Sequence, residues 1–256
     1  MTVSSIKKSG IDEQEWQLRV DLAACYRLMA LYGMTDLIAT HISARLPDSL
    51  TNGQEQFLIN PYGLLFDEIT ASSLIRIDMH GNKLSESELE VNRAGFVIHS
   101  TIHEARPDVQ CVVHAHTRAG VAVSAQRGGL LPISQQASLV LGSLAYHDYE
   151  GIAVYDDERQ RLKDDFGDNT YFMLRNHGLL TAAPSIAEAF WSMYIFETAC
   201  QVQIAAQAGG PLIHIEPAVL AGVDKAVKAM GTKHPGLLAW PALLRRLDQS
   251  SPGYVV

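Results

Sequence analysis

Three histidines carry the clearest potential for chemistry in this sequence. His114 and His116 stand within the apolar run 111–117, and His177 follows much later in the segment 175–178. Because side chains alternate along a strand, His114 and His116 would leave the same face of the run. A third imidazole from another strand end would give three nitrogen donors and one open position, which is typical of a catalytic zinc site.

The spacing of this pair is weak evidence without its context. Ten histidines in 256 residues give about 0.4 His-x-His pairs by chance, so the surroundings must support the motif. Residues 109–113 are apolar and β-branched, and they predict a strand that ends at the pair. Residues 171–174 predict a second strand that runs into the turn holding His177. The alternative is that these are loop or core histidines satisfied by hydrogen bonds.

Composition excludes several classes of function. The 256 residues carry 20 Lys and Arg against 28 Asp and Glu, a formal charge of −8, without a basic cluster, so nucleic acid and anionic membranes are poor partners. The first 15 residues lack an apolar signal segment, and no 18 apolar residues run together, so we expect a cytoplasmic protein. Cys25, Cys111 and Cys200 are far apart among apolar neighbours, which favours reduced, buried thiols.

The pattern of elements predicts one α/β domain. Asp12 with Glu15 forms a capping-box pattern for a first helix, and Ser185 with Glu188 opens a second that runs through 190–208. Further helices are expected at 92–105, 117–126, 219–230 and 241–247. Strands are expected at 41–46, 57–60, 75–79, 139–146 and 152–155, and 156–168 is expected to be a charged, solvated loop with room for a short helix. We divide the chain into a tail (1–15), a domain (16–215) and a helical extension packed on that domain (216–256).

Several segments resemble the class II aldolase/adducin family, and most of all the adducin head domain and its short bacterial relatives. The resemblance covers about three quarters of the chain and includes the histidine pair and the segments 33–38, 41–43, 60–66, 70–74, 105–109, 131–134, 146–149 and 175–178. It implies an α/β/α layered domain with a mainly antiparallel central sheet, and a homo-oligomer, with a tetramer favoured. It also implies that His114, His116 and His177 bind one zinc ion per subunit, although manganese or iron is not excluded by sequence.

The sequence departs from the aldolase branch of that family at its catalytic positions. Those aldolases carry a catalytic glutamate nineteen residues before the first histidine, where this chain has Gly95. Their phosphate-binding element appears here as residues 40–43, so the phosphate pocket is not carried over. A tyrosine that their adjacent subunit contributes aligns near Gln136. The catalytic group is therefore unknown from the sequence.

Other residues are candidates for the vacant roles. Glu90 is the nearest acid to Gly95 and could serve as a general base, with Glu86 and Glu88 more distant; the alternative is a solvated acidic loop. His41 and Arg93 are the candidate substrate-binding residues, Arg93 because its planar fork suits a carboxylate; the alternative is an exposed arginine at a helix start.

Two further groups of histidines could take part. His99 and His103 lie four residues apart on a predicted helix and could pinch a metal, although core or surface histidines are the simpler reading. His147 and Asp148 could orient a water molecule or a metal-binding histidine, or they could simply form a turn.

Two functional hypotheses follow. The first is a zinc-dependent, aldolase-like lyase that acts on a small hydroxy-carbonyl compound, with the metal stabilising an enediolate. The second is a self-assembling scaffold or interaction domain, similar to an adducin head, that performs no catalysis.

Overall fold

The computed structural model describes residues 10–151, 157–229 and 234–256, without the side chains of Arg93, Ala94, Asp157, Asp224 and Lys228. The strands are β1 (His41–Arg45), β2 (Gln56–Ile59), β3 (Ile75–Asp78), β4 (Cys111–Ala115), β5 (Leu144–His147), β6 (Tyr171–Leu174) and β7 (Gly178–Ala183). The helices are α1 (Glu13–Leu31), α2 (Arg93–Ala105), α3 (Arg118–Ser124), α4 (Gln135–Leu141), α5 (Asp157–Phe166), α6 (Ile186–Gln207), α7 (Pro217–Leu220), α8 (Val223–Ala229) and α9 (Pro235–Ser250).

The described strands form one mixed sheet in the order β3-β2-β1-β4-β7-β6-β5. Every neighbouring pair is antiparallel except β5 and β6, which run parallel. The prediction of a mainly antiparallel sheet is therefore confirmed. The central strand β4 lies between β1 and β7, so the residues at its end have neighbours on both sides.

Alternation along the strands directs apolar residues to both faces of the sheet. Cys111 and Val113 of β4 face a large core that also contains apolar residues of α1, α3, α4, α6 and α9. Val112 faces the opposite side, where it packs with Ile98 and Ile102 of α2 and with α5. Helices thus cover both sheet faces, and the predicted α/β/α layering is confirmed.

The N-cap side chains act as predicted, but Glu15 pairs with Arg19 and Arg76 and does not complete the predicted capping box. The Asp12 side chain accepts a hydrogen bond from Gln14 N and begins α1, and the Ser185 side chain accepts one from Glu188 N and begins α6. The 22-residue helix α6 buries an apolar face against α3, α4, α9 and β7. Because α6 covers this face of the sheet, His114 of β4, which points the other way, lies on the opposite face.

The predicted strand at 139–146 is wrong over its first half. Ser134 accepts a hydrogen bond from Ala137 N and caps the helix α4, which buries Ala137 and Val140 against the large core. The apolar residues there form one side of a helix, and β5 begins only after Gly142 ends it. Because a short apolar run suits either structure, tertiary packing decided between them.

Two other expectations need correction. The charged segment 156–168 contains the helix α5, whose Leu162 and Phe166 are buried against α2, so one side of it belongs to the core. The strand β7 was not predicted, although its residues pair with both β4 and β6. The strand expected at 152–155 lies outside the described residues.

The C-terminal residues pack back on the body of the protein. Helix α9 begins earlier and ends later than predicted, and it contacts α6 and α1 through Trp240 and Leu247. The expected helix at 219–230 is divided into α7 and α8 within its described part. All three cysteines are buried and free, as expected. Among the described helices, none is both long and apolar enough to cross a membrane.

Candidate metal centre

The structure brings His114, His116 and His177 together, and we refer to them as the three-histidine cluster. One ring nitrogen from each lies within 4.8 Å of the others. The Nε2 atoms of His114 and His116 are 2.8 Å apart, and the ring centroid of His177 lies 4.8 Å from those of both partners. Among the described residues, no other group of three His, Cys, Asp or Glu has a geometry that suits a metal ion.

Strand and turn geometry explain this convergence. His114 is the fourth residue of β4, and His116 follows directly after its last residue, so the two rings leave the same face of the sheet. His177 lies in the tight turn between β6 and β7, where Asn176 adopts a left-handed conformation with φ of 55°. A Cβ on Gly178 would lie 2.5 Å from the Ala115 carbonyl oxygen, so glycine permits the close approach of this turn to β4.

The second ring nitrogens are held by acceptors on the protein. Nδ1 of His114 donates to the Leu179 carbonyl at 2.9 Å, and Nδ1 of His116 lies 3.1 Å from Oδ2 of Asp36. These contacts direct both Nε2 lone pairs inward, as in the supporting interactions of metal-binding histidines. Sequence reasoning did not single out Asp36, and its only signal was its place in the family-like segment 33–38.

Burial favours the neutral form of two of these imidazoles. Desolvation, followed by the neighbouring histidines, lowers the pKa of His114 well below its usual value and that of His177 to about 4. Neutral rings at physiological pH retain the lone pairs that a metal requires. His114 and His177 therefore combine inward-facing donors with the protonation state that coordination needs.

A cavity of about 290 Å³ lies beside the cluster. It is lined by Ala39, His41, Asn92, Gly95, Ile98, Tyr149 and Gly151 together with the three histidines. None of these described lining residues is acidic, and none is lysine or arginine. The polar side chains among these lining residues are therefore imidazoles, the amide of Asn92 and the phenol of Tyr149.

The other predicted site residues are distributed unevenly. His41 and Gly95 line the cavity, whereas the Glu90 side chain is 73% exposed and forms an ion pair with Lys83 at 2.9 Å. Glu86 and Glu88 line a separate surface cavity beside α1. The side chain of Arg93 lies outside the described structure.

The remaining histidines make other contacts. His99 and His103 hydrogen-bond to His41 and Ser43 in the core. His147 is buried, with Nδ1 2.7 Å from Asp165 and Nε2 3.4 Å from Glu158. Together with Asp148 it lines a small cavity that also touches His177.

Comparison with known proteins identifies relatives in family and in fold. The family described as "Class II Aldolase and Adducin N-terminal domain" matches residues 20–204. A crystal structure of an aldolase II superfamily protein from Pseudomonas syringae superposes with a TM-score of 0.89 at 48% identity, covering 96% of this chain and 98% of that one. L-fuculose 1-phosphate aldolase from Glaciozyma antarctica has a TM-score of 0.81 at 29% identity, covering 97% and 95%.

The adducin resemblance is also found. Alpha-adducin of Rattus norvegicus is 46% identical over 213 residues, which are 80% of this chain and 28% of that protein. The match is therefore limited to one part of adducin. The chain belongs to the class II aldolase and adducin N-terminal domain family.

Proposed function

We propose that this protein is a zinc-dependent lyase of the aldolase type, acting on a small hydroxy-carbonyl compound. The observation that carries the proposal is the convergence of three imidazole nitrogens within 4.8 Å beside a cavity. Membership of the family and the likeness to L-fuculose 1-phosphate aldolase support the aldolase-type role.

The donor set of the three-histidine cluster fits zinc. Three imidazoles with an adjacent cavity correspond to three protein ligands and one open position, and imidazole suits zinc among the divalent metals. When bound, the metal would supply Lewis-acid stabilisation of negative charge on adjacent substrate oxygens. Manganese and iron are the other metals that the experiment below distinguishes.

The residues of the chain would hold and shape this site. Asp36 and the Leu179 carbonyl orient the two ligands of β4, so that the donor atoms are in place before an ion arrives. Arg93 stays the candidate for binding a substrate carboxylate, and Glu90 is not part of the proposal because its side chain pairs with Lys83 in solvent.

Metal analysis tests the first half of the proposal. Protein purified without chelator should carry about one zinc ion per chain, and the triple variant H114A/H116A/H177A should carry none. The matched control H80A, which removes an exposed histidine, should keep its metal. An empty wild-type protein that also fails to take up zinc, manganese or iron on dialysis contradicts the proposal.

A substrate screen tests the second half. Zinc-loaded protein should cleave a carbon–carbon bond in at least one member of a panel of hydroxy-keto and hydroxy-acid compounds, detected as a new carbonyl product by mass spectrometry. The triple variant should form no product. A zinc-loaded wild type that cleaves none of the panel would favour the second candidate function.

That second candidate is an interaction domain without catalysis that assembles with itself or with another protein. The 46% identity to alpha-adducin and the glycine at position 95 favour it. In either case we propose a homo-oligomer, with a tetramer expected, and light scattering during size-exclusion chromatography measures the subunit number. The cytoplasmic location stays a prediction from the sequence.

A further inference from the structure

Four buried polar side chains form a hydrogen-bonded row behind the cavity. Nδ1 of His41 lies 3.0 Å from Nε2 of His99, and Nδ1 of His99 lies 2.8 Å from Oγ of Ser43. The same Oγ lies 2.8 Å from Nε2 of His103. All four residues are at most 2% exposed. We refer to them as the histidine–serine chain.

The spacing of residues on a strand and on a helix brings these four side chains together. His41 and Ser43 are two residues apart on β1, so both side chains leave the sheet on the face that α2 covers. His99 and His103 are four residues apart on α2 and share one side of that helix. Side chains from the strand and the helix therefore alternate along the row.

Gly95 makes room for the first member of the chain. A Cβ at this position would lie 1.7 Å from Nε2 and 2.2 Å from Cδ2 of His41. The imidazole thus occupies the space that any side chain at position 95 would need. Glycine within a helix costs about 1 kcal/mol relative to alanine, and this close approach explains why it stands here.

The outer end of the chain reaches the cavity. His41 lines the cavity beside the three-histidine cluster and pairs with His114 across neighbouring strands, with ring centroids 5.5 Å apart. Nε2 of His41 makes no hydrogen bond to any described residue, although the residue as a whole is only 2% exposed. This nitrogen is not one of the fully buried polar atoms that lack a partner, so it keeps access to the cavity, where a water molecule or a ligand can hydrogen-bond it.

We propose that Nε2 of His41 hydrogen-bonds an oxygen of the ligand held at the three-histidine cluster, with His99, Ser43 and His103 as positioning residues. A neutral imidazole carries one ring proton, so the hydrogen bond between His41 and His99 requires both rings to share the same tautomer. The histidine–serine chain therefore holds the ring angle of His41 and couples its tautomer to that of His99. This inference rests on the proposed function for the ligand, an oxygen-rich compound bound at the cluster.

The probe for this proposal is glycolohydroxamate, whose two adjacent oxygens mimic an enediolate and chelate zinc. Calorimetric titration of zinc-loaded wild type, H41A, G95A and H41A/G95A should give about tenfold weaker binding for each single variant, as expected for one lost hydrogen bond. Zinc content should be unchanged. The double variant should bind no more weakly than H41A, because Gly95 acts through His41.

A second measurement follows the positioning residues. The variant H99L should weaken hydroxamate binding about threefold to tenfold at unchanged zinc content, and H99Q, whose amide can hydrogen-bond Nδ1 of His41, should recover most of it. The control G128A, whose Cβ would meet only Leu131 Cδ2 at 3.4 Å, should bind as the wild type does. A purely structural role of His99 would lower thermal stability without changing the affinity.

The outcomes separate this inference from the proposed function. A wild type that binds neither zinc nor hydroxamate overturns both. A wild type that binds both, with H41A equal to it, overturns only the role of His41. If the affinity losses of H41A and G95A multiply in the double variant H41A/G95A, the two positions act independently. That result overturns the coupling between them. Thermal unfolding of metal-free protein supplies the remaining check: G95A should lower Tm, and most of that loss should vanish in the H41A background.

Discussion

Two groups of histidines lie side by side in this protein and use their nitrogens differently. In the three-histidine cluster, outer nitrogens bond to Leu179 and Asp36, which leaves inner nitrogens facing one another beside a cavity. In the histidine–serine chain, His41 bonds directly to His99, and Ser43 joins His99 to His103 inside the core. The same residue type thus forms a cluster of inward-facing nitrogens in one place and an internal hydrogen-bond row in the other.

The difference shows that the second nitrogen decides what a buried histidine can do. An imidazole with one nitrogen held by a carbonyl or carboxylate can offer the other to a metal. Imidazoles whose nitrogens hydrogen-bond to one another have a structural role, except at an end of the row that reaches a cavity. His41 is that end, and its ring lies near those of His99 in the same row and His114 in the three-histidine cluster.

The largest expected effect is acid destabilisation of the metal-free protein. Burial lowers the pKa of His41 and of His103 to about 3, so both stay neutral in the folded protein while the unfolded chain takes up protons below its pKa near 6.5. Stability from these groups is therefore present above pH 6.5 and is lost as the pH falls. Linkage gives roughly 2 kcal/mol for each group at pH 5, or about 4 kcal/mol together.

Urea unfolding at pH 7 and pH 5 measures this loss. The control variant H80A lacks an exposed histidine and should show the same pH dependence as the wild type. Equal free energies of unfolding at pH 7 and pH 5 would show that the histidine–serine chain is charged or open to solvent in the folded protein. That result would contradict the distinction between the two groups of histidines.

The next effect comes from the centre of the histidine–serine chain. The variant S43A leaves Nδ1 of His99 and Nε2 of His103 without a partner in the core, so we expect a loss of about 3 kcal/mol in the free energy of unfolding. Zinc content should not change. The exposed serine variant S49A is the matched control, and equal stability of the two variants would contradict the prediction.

A smaller effect is expected at the carboxylate behind the metal centre. The variant D36A removes the acceptor at Nδ1 of His116 and should weaken zinc binding by about tenfold to a hundredfold, or about 1.4 to 2.7 kcal/mol. Competition with a chromophoric chelator measures this affinity. The control D164A lies on the exposed side of α5 and should bind zinc as the wild type does; an unchanged D36A would remove Asp36 from the site.

The smallest effect is expected for Glu90. Its ion pair with Lys83 is largely in solvent, so the variant E90Q should change the free energy of unfolding by less than about 0.5 kcal/mol. Zinc content and hydroxamate affinity should equal those of the wild type. A large loss of hydroxamate affinity in E90Q would mean that this acid reaches the cavity when a ligand is bound.

Local rules sufficed to predict much of the fold. Strand alternation placed His114 and His116 on one face, and side-chain oxygens at Asp12 and Ser185 began the two long helices as expected. These features depend on residues a few positions apart, so they can be derived from spacing. The helix α4 was missed because its short apolar run suits a strand equally well until α6 packs on it.

Residue spacing predicts which side chains share a face, and therefore that a histidine pair projects together at the end of β4. Packing between elements brings Asp36 behind His116, and His41 into the space left by Gly95. Each of these partners is far from the other along the chain. Contacts between elements depend on how the sheet and helices pack, which no local periodicity specifies.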